Sequence, residues 1–448
     1  MTVEGRPGWR PGVQLGGIEA TSVAAPGRAA PAHGVRVVLD LRPIQDPQRA
    51  PLTAIYLEQL LGALDAERLQ GESFSFLLAA DQDDPTARWP NLDVVGRRLL
   101  PPTRLLRSGA LTVDPIVLRG ATLGAGWRAE RGGAGGTVYH AAAGALPIAS
   151  GIPIVAAVLD LAPWAMPEAY QRGTAARFGQ RIRARLLRDA AAVLVPGTAT
   201  SADARRLLHV RKARVRVVPL APRPEFSPAA AAGARREADR LGLGERYAVY
   251  AGRYDARQDL PTLLEALARL AREPAPAGVA APRTPGDAAG GRLEWPPRVC
   301  LIGASPDDRA ALSRVATRAG VADAMAYAPQ LPADRLAALV AGARLLVQPA
   351  RSDSTGLAAL EAIAAGVPVV ASAVDALPEV VGAAGILVEP EDAGRLATAL
   401  AAAWADDDLH AQLVEAALER RPGMRTWGDV ARDTRTVWAD VARHAPLL

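Results

Sequence analysis

The sequence predicts an α/β fold built from two open parallel sheets in tandem, each flanked by helices. Short apolar runs with strand character alternate with helix-length segments along nearly the whole chain, the pattern of parallel strands joined by crossover helices. The alternation comes in two series, divided by the proline-spaced residues 219–228. The length of 448 residues suits this, since two to three domains are expected at about 150 residues each.

The first series begins after residues 1–33, a Gly-, Pro- and Ala-rich stretch that reads as a disordered tail. Residues 35–41 are an apolar run ended by Arg42-Pro43 and read as a strand. A helix is expected over 53–64, a strand over 74–80 and a helix over 103–119. Residues 120–136 are glycine-rich and read as a loop. A short strand over 138–140 and a strongly apolar strand over 152–160 follow. Residues 174–189 read as an arginine-rich helix, 191–196 as a strand, 201–208 as a helix and 215–219 as a strand.

The second series places strands over 247–251, 299–302, 324–327, 345–348 and 369–371. Helices are expected over 260–272, 306–319, 333–341, 356–365 and 393–404. Residues 273–297 carry little apolar pattern and read as a flexible surface insertion. Two such halves predict two Rossmann-like domains.

Composition excludes several classes of protein. Half the residues are hydrophobic and 22% are charged, which rules out a wholly disordered chain. Cys300 is the only cysteine, so neither an intramolecular disulfide framework nor a thiolate zinc cluster exists. The five histidines are scattered, against a His-rich metal site, and no metal is expected. The longest apolar runs fall well short of the roughly 20 residues of a membrane span. Without an apolar signal core near the N-terminus, a cytoplasmic location is expected. Net charge is +5, and of 52 basic residues only Lys212 is a lysine. Basicity allows an acidic partner, but no nucleic-acid motif or aromatic-interleaved basic stripe is present, so no nucleic acid is expected.

The chemistry concentrates in the second half. Residues 250–260 read as a strand end, a glycine turn with basic residues and a helix start. In an open α/β sheet, ligands sit beyond the strand C-termini, where a helix N-terminus favours anions. Gly252 lets backbone approach closely, and Arg253 can fork onto a phosphate. On its own the pattern is also that of a turn glycine beside a surface arginine. Residues 348–372 repeat the strand–loop–helix–turn–strand order. There Asp353 lies in the loop, Gly356 and Leu357 offer N–H groups at the helix start, and Glu361 is placed to accept from a ribose hydroxyl. Gly366-Val-Pro368 ends that helix.

These motifs resemble glycosyltransferase family 4, whose members transfer sugars from nucleotide donors on the two-domain fold called GT-B. The family carries Gly-Arg-(x)4-Lys, Glu-(x)7-Glu, a Gly-x-Pro-Val-Val-Ala-Ser turn and Leu-Pro-Glu-Val. Here the counterparts are Gly252-Arg253 through Gln258, Asp353-(x)7-Glu361, Gly366 through Ser372, and Leu377-Pro-Glu379-Val. Val158-Leu159-Asp160-Leu161-Ala-Pro163 is similar to the family's His-Asp-Leu-x-Pro, and His140 falls in a family-like strand-loop that implies a place near the cleft. The Thr426-Trp427 segment with its helix through Trp438 resembles the family's closing helix. The likeness covers about residues 35–441. It implies an N-terminal domain over 34–222 with the closing helix from 425–448, and a nucleotide-sugar domain over 223–424.

The sequence departs from the family at several site positions. Gln258 stands where the phosphate lysine is expected, Asp353 where a glutamate is, and Leu159 where a histidine is. Leu52-Thr53-Ala54 replaces a Gly-x-Gly loop, Gly197 a serine, and Ala221 a glycine. The resemblance implies retaining transfer of a hexose from a UDP- or GDP-linked donor to a glycan or lipid-linked acceptor, with no cofactor and no metal. Arg253, Asp353 and Asp160 are the implied catalytic residues. Gly252, Arg253, Arg257, Gln258, Gly356, Leu357 and Glu361 are the implied donor-binding residues. A non-catalytic GT-B homologue that binds a nucleotide-sugar or a partner is the alternative. Arg177, Arg181, Arg185 and Arg188 share one face of a predicted helix, with Arg172 and Arg183 nearby. They imply contact with anionic lipid head groups, or a solvated helix face.

Overall fold

The computed structural model describes residues 34–102, 113–129, 136–142, 144–276, 279–280 and 293–444. The expected tail over 1–33 lies outside them. Two parallel sheets organise the chain. The first holds β1 (Arg36–Asp40), β2 (Ser73–Ala79), β3 (Val94–Leu100), β4 (Thr137–Ala142), β5 (Ile154–Ala157), β6 (Ala192–Val195) and β7 (Val215–Val217). Their order is β3-β2-β1-β4-β5-β6-β7. The second sheet holds β8 (Ala248–Ala251), β11 (Val299–Ile302), β12 (Met325–Ala328), β13 (Leu345–Gln348), β14 (Val369–Ser372) and β15 (Gly385–Val388). Its order is β12-β11-β8-β13-β14-β15. β9 (Val279–Ala280) and β10 (Leu293–Glu294) form a small separate parallel pair.

Both sheets run outward from a central strand and then reverse, the doubly wound pattern. The order switches between β1 and β4 in the first sheet and between β8 and β13 in the second. The central strands are buried, because helices cover both faces of each sheet. Four clusters of buried apolar residues result, two for each sheet.

Caps explain why some helices fall where the sequence places them. Ser305 accepts from the Asp308 N–H at the start of Pro306–Ala319, and Gly320 closes that helix with φ +73°. Asp392 caps Ala393–Ala405 in the same way. Other elements differ from expectation. Residues 120–129 are not loop: a helix runs Asp114–Ala129, and its Leu118 and Ala121 join the core beneath the first sheet. Packing outweighs its glycines, each of which costs about 1 kcal/mol of helix propensity. β3 was not expected, because it is an edge strand whose exposed face breaks the apolar run. The insertion over 273–297 is anchored at one end. Trp295 is buried in the second core, and its indole N–H donates to Leu270 O at 2.9 Å.

The closing helix runs Trp427–His444. Thr426 and Asp429 exchange hydrogen bonds in a capping box at its start. Trp427, Val430, Ala431, Val437 and Trp438 recur at helical spacing and pack into the core of the first sheet. Among the described residues, no helix is long and apolar enough to cross a membrane.

Candidate functional site

β8 and β13 flank the switch point of the second sheet, and the loops at their C-terminal ends carry the predicted donor-binding residues. The loop after β8 begins with Gly252. A Cβ at this position would lie 2.6 Å from the Tyr250 hydroxyl, so glycine is required by space. Tyr250 in turn donates to the Arg253 carbonyl and holds the loop. The Arg253 guanidinium is half-exposed and pairs with Asp255 at 2.9 Å. Arg257 is more buried and reaches across to the first sheet. It pairs with Asp160 at 2.7 Å and Asp255 at 3.0 Å, and its Nε also donates to the Tyr170 hydroxyl at 3.2 Å. Burial opposes the Arg257 charge, but Asp160 and Asp255 outweigh it and hold its pKa above the ordinary value.

Asp160 follows β5 and serves two purposes. One carboxylate oxygen accepts from the Ala162 N–H at 2.9 Å and caps the turn, while the other takes Arg257. Asp160 thus caps its turn and lines the cavity at once.

Gln258 turns inward, and its Oε1 accepts from Gln348 Nε2 at 3.0 Å. The residue is buried and neutral, so it supplies no cation. Asp353 organises the loop after β13. Its Oδ1 accepts from the N–H groups of Thr355 (3.1 Å) and Gly356 (2.8 Å), and its Oδ2 from Gln348 Nε2 (3.2 Å). Burial raises the Asp353 pKa, and the two backbone N–H groups oppose that rise. Gly356 has φ +60°, a left-handed conformation that favours glycine. The helix Leu357–Ala364 follows, and the Leu357 N–H is held only weakly, by Thr355 Oγ1 at 3.4 Å.

Glu361 lies on this helix and is gripped by Arg223 from the chain segment after β7. The two form a forked pair at 2.6 and 2.8 Å, with side chains 12% and 5% exposed. Burial lifts the Glu361 pKa while Arg223 opposes it. Arg223 also lies over the Phe226 ring at 4.8 Å.

Together these residues line one cavity of about 210 Å³ between the two sheets. Asp160, Gly252, Arg253, Arg257, Gln258, Asp353, Leu357 and Glu361 all contribute to its wall, as do Arg223 and Gln348. Pro51, Leu52 and Ile55 close it from the first half. A roomier hollow of about 650 Å³ opens beside Pro153, Ile154 and Ala192, at the N-terminal ends of β5 and β6. Ligands of doubly wound sheets sit at the opposite strand ends, so the smaller cavity is the candidate site.

Further contacts join the halves around it. The Leu161 N–H donates to Ser354 Oγ at 3.0 Å, and Thr200 Oγ1 donates to the Ser354 carbonyl at 2.8 Å. Glu379 accepts from the N–H groups of Thr198 (3.2 Å) and Ala199 (3.3 Å) and so caps the helix Thr198–Leu208 from the opposite half. A Cβ at Gly197 would lie 2.7 Å from Glu379 Oε2, so a side chain there would push the Glu379 carboxylate aside.

One sequence reading is corrected. His140 does not approach the cleft; it is buried beneath the closing helix, with Trp438 Nε1 donating to its Nδ1 at 3.1 Å. Arg183 lies near the exposed arginine face without joining it. It packs on the Trp164 ring at 4.9 Å, whereas Arg177, Arg181, Arg185 and Arg188 are exposed along Thr174–Asp189. Arg223, Gln348, Ser354 and Tyr170 were not singled out from sequence. Each has a partner 87 to 193 positions away along the chain, beyond any local pattern. Among the described residues, no group of three or more His, Cys, Asp or Glu is placed to hold a metal ion.

Comparison with known proteins agrees with this geometry. Residues 234–420 match the family described as glycosyl transferases group 1. The D-inositol 3-phosphate glycosyltransferase of Nocardia farcinica is 32% identical over 258 residues, 54% of this chain and 49% of that protein. The protein of the same name from Acidothermus cellulolyticus is 38% identical over 127 residues, 27% of this chain and 28% of that one. The chain thus matches less than half the length of these curated relatives. Among solved structures, sucrose-phosphate synthase from Thermosynechococcus elongatus aligns with 92% of this chain and all of its own, at a TM-score of 0.65 and 21% identity. HepE from Anabaena, in complex with UDP and glucose, covers 91% of this chain and all of its own, at a TM-score of 0.62 and 16% identity. Sheet order and the likeness to solved structures converge: the chain has the GT-B fold, and its residues 234–420 match the glycosyl transferases group 1 family.

Proposed function

We propose that this protein transfers a hexose from a UDP- or GDP-linked donor, with retention, and that the donor sits in the cavity between the sheets. The observation that carries this reading is the gathering of Arg253, Arg257, Asp353 and Glu361 on one cavity at the switch point of the second sheet. Arg253 and Arg257 meet the diphosphate, where they stabilise the charge that grows on the leaving group. Gly252 gives the phosphates access to backbone. The weakly held Leu357 N–H and the positive end of its helix add to the same field. Glu361 keeps lone pairs for the ribose hydroxyls beside its two bonds to Arg223. Asp353 faces the donor sugar, and Asp160 releases Arg257 when the diphosphate arrives.

The acceptor is a glycan or a lipid-linked sugar in this reading, and the names of the curated relatives add D-inositol 3-phosphate to the acceptors worth testing. The exposed arginines 177, 181, 185 and 188, with Phe178 exposed among them, suit peripheral contact with an anionic membrane. Co-sedimentation with phosphatidylglycerol vesicles, lost at high salt, is expected.

The test is a calorimetric titration with UDP-, GDP- and ADP-sugars, followed in parallel for donor hydrolysis. Binding with slow hydrolysis supports a transferase awaiting its acceptor and names the donor. Binding without turnover under any acceptor favours a non-catalytic homologue, a reading that the commitment of Arg257 to Asp160 and the neutral Gln258 would then explain. No binding to any donor overturns the assignment.

A further inference from the structure

The reading of the cavity as a nucleotide-sugar site leaves one buried group unused. Gln348 ends β13 and lines the cavity, yet it is only 1% exposed. Its amide nitrogen is committed twice, to Gln258 Oε1 at 3.0 Å and to Asp353 Oδ2 at 3.2 Å. A carboxylate only accepts, so Asp353 fixes the nitrogen on its side and leaves the oxygen on the other branch. That oxygen, Oε1, has no hydrogen-bond partner among the described residues. Ile302, Leu336, Val340 and Leu346 line the same cavity and carry no side-chain donor. A buried acceptor left unpaired is costly and uncommon, and a ligand that supplies a donor is favoured at such a place.

The chemistry of that ligand group follows from the amide. A carbonyl oxygen repels phosphate oxygens and takes a neutral donor such as a hydroxyl. Gln348 is tied on one side to Gln258, in the loop proposed to face the diphosphate, and on the other to Asp353, proposed to face the sugar. Resting on the donor-site reading above, we infer that Gln348 is a specificity-determining residue whose Oε1 accepts a hydrogen bond from one hydroxyl of the donor sugar. The Gln258–Gln348–Asp353 chain is then the floor on which that sugar lies.

The test pairs one substitution with one missing hydroxyl. The probes are UDP, GDP, and whichever of UDP-glucose, UDP-N-acetylglucosamine or GDP-mannose binds, with its monodeoxy sugar analogues. Wild-type protein is expected to bind the parent donor roughly ten- to a hundredfold more tightly than one of these analogues. In Gln348→Met that preference falls to near one, while the free nucleoside diphosphate binds both proteins alike. Gln348→Asn, which keeps the amide but withdraws it by one methylene, is expected to lose the same preference and serves if the methionine variant does not fold. A preference that survives in the variants, or equal binding of every monodeoxy form by wild type, overturns the inference and leaves the donor site standing. Failure of the folded wild type to bind any donor or free nucleotide overturns the donor site and this inference with it.

Discussion

Two joints hold the halves of this molecule together, and they are built from opposite materials. At the closing helix the contacts are aromatic and buried: Trp438 and Trp427 pack into the core of the first sheet, and Trp438 Nε1 donates to His140 Nδ1. With Nδ1 accepting, the ring proton lies on Nε2 and donates to the Tyr56 hydroxyl at 3.2 Å. Arg435 adds an ion pair to Glu72 at 3.0 Å, with both side chains about nine-tenths buried. At the cleft the contacts are polar and border a cavity: Arg257 with Asp160, Ser354 with Leu161 and Thr200, Glu379 with a helix start. Water or a ligand can replace these one by one, whereas the aromatic joint exposes apolar surface if it opens. The closing helix is thus the firmer tie, and the cleft is the seam that opens more readily.

Breaking the firmer tie has the largest expected effect. Trp438→Ala should cost about 3–5 kcal/mol in chemical denaturation and detach the closing helix, seen as rapid hydrogen exchange over its length. The same joint should make the protein acid-sensitive. Burial pushes the His140 pKa from its ordinary 6.5 down to about 3. Between those values the unfolded chain binds a proton that the native ring refuses. His140 therefore contributes stability above pH 6.5 that is lost as pH falls toward 3, by roughly 1.4 kcal/mol per unit. His140→Gln should flatten that part of the stability–pH curve; an unchanged slope would place the proton elsewhere.

The seam should respond more mildly. Arg257→Ala should lower stability by about 1–2 kcal/mol while increasing protease sensitivity around residues 160–170, because Asp160 and Tyr170 lose their partner across the cleft. Gly197→Ser should have the smallest effect, about 1 kcal/mol or less. The added Cβ displaces the flexible end of Glu379 and weakens a helix cap, which a modest fall in melting temperature would report.

The same contrast explains what the sequence revealed. All strands of the second sheet but β15 were legible because they are short apolar runs and the neighbouring helices carry Asp and Ser caps, so local chemistry and tertiary position agree. The motif glycines were legible too, since Gly252 and Gly356 answer to close approach and to a positive φ. Partners across the seam were not. Nothing local in the proline-rich stretch around Arg223 announces that it will fork onto Glu361, 138 positions away. His140 misled for a related reason: its place in a cleft-like motif was visible, but the closing helix that buries it comes 298 positions later. Residues 120–129 misled because glycine signals a loop locally, while Leu118 and Ala121 pack their helix into the core beneath the sheet.

The central claim is that a nucleotide donor enters at the seam and is held by the loop after β8. Arg253 tests it most directly, since its guanidinium is half-exposed and bonded only to the neighbouring Asp255 among the described residues, so its removal should leave the fold intact. Titration of Arg253→Ala with the donor that wild type binds should show affinity weakened roughly tenfold or more at an unchanged melting temperature. Equal affinity in the two proteins would contradict a donor diphosphate at this loop.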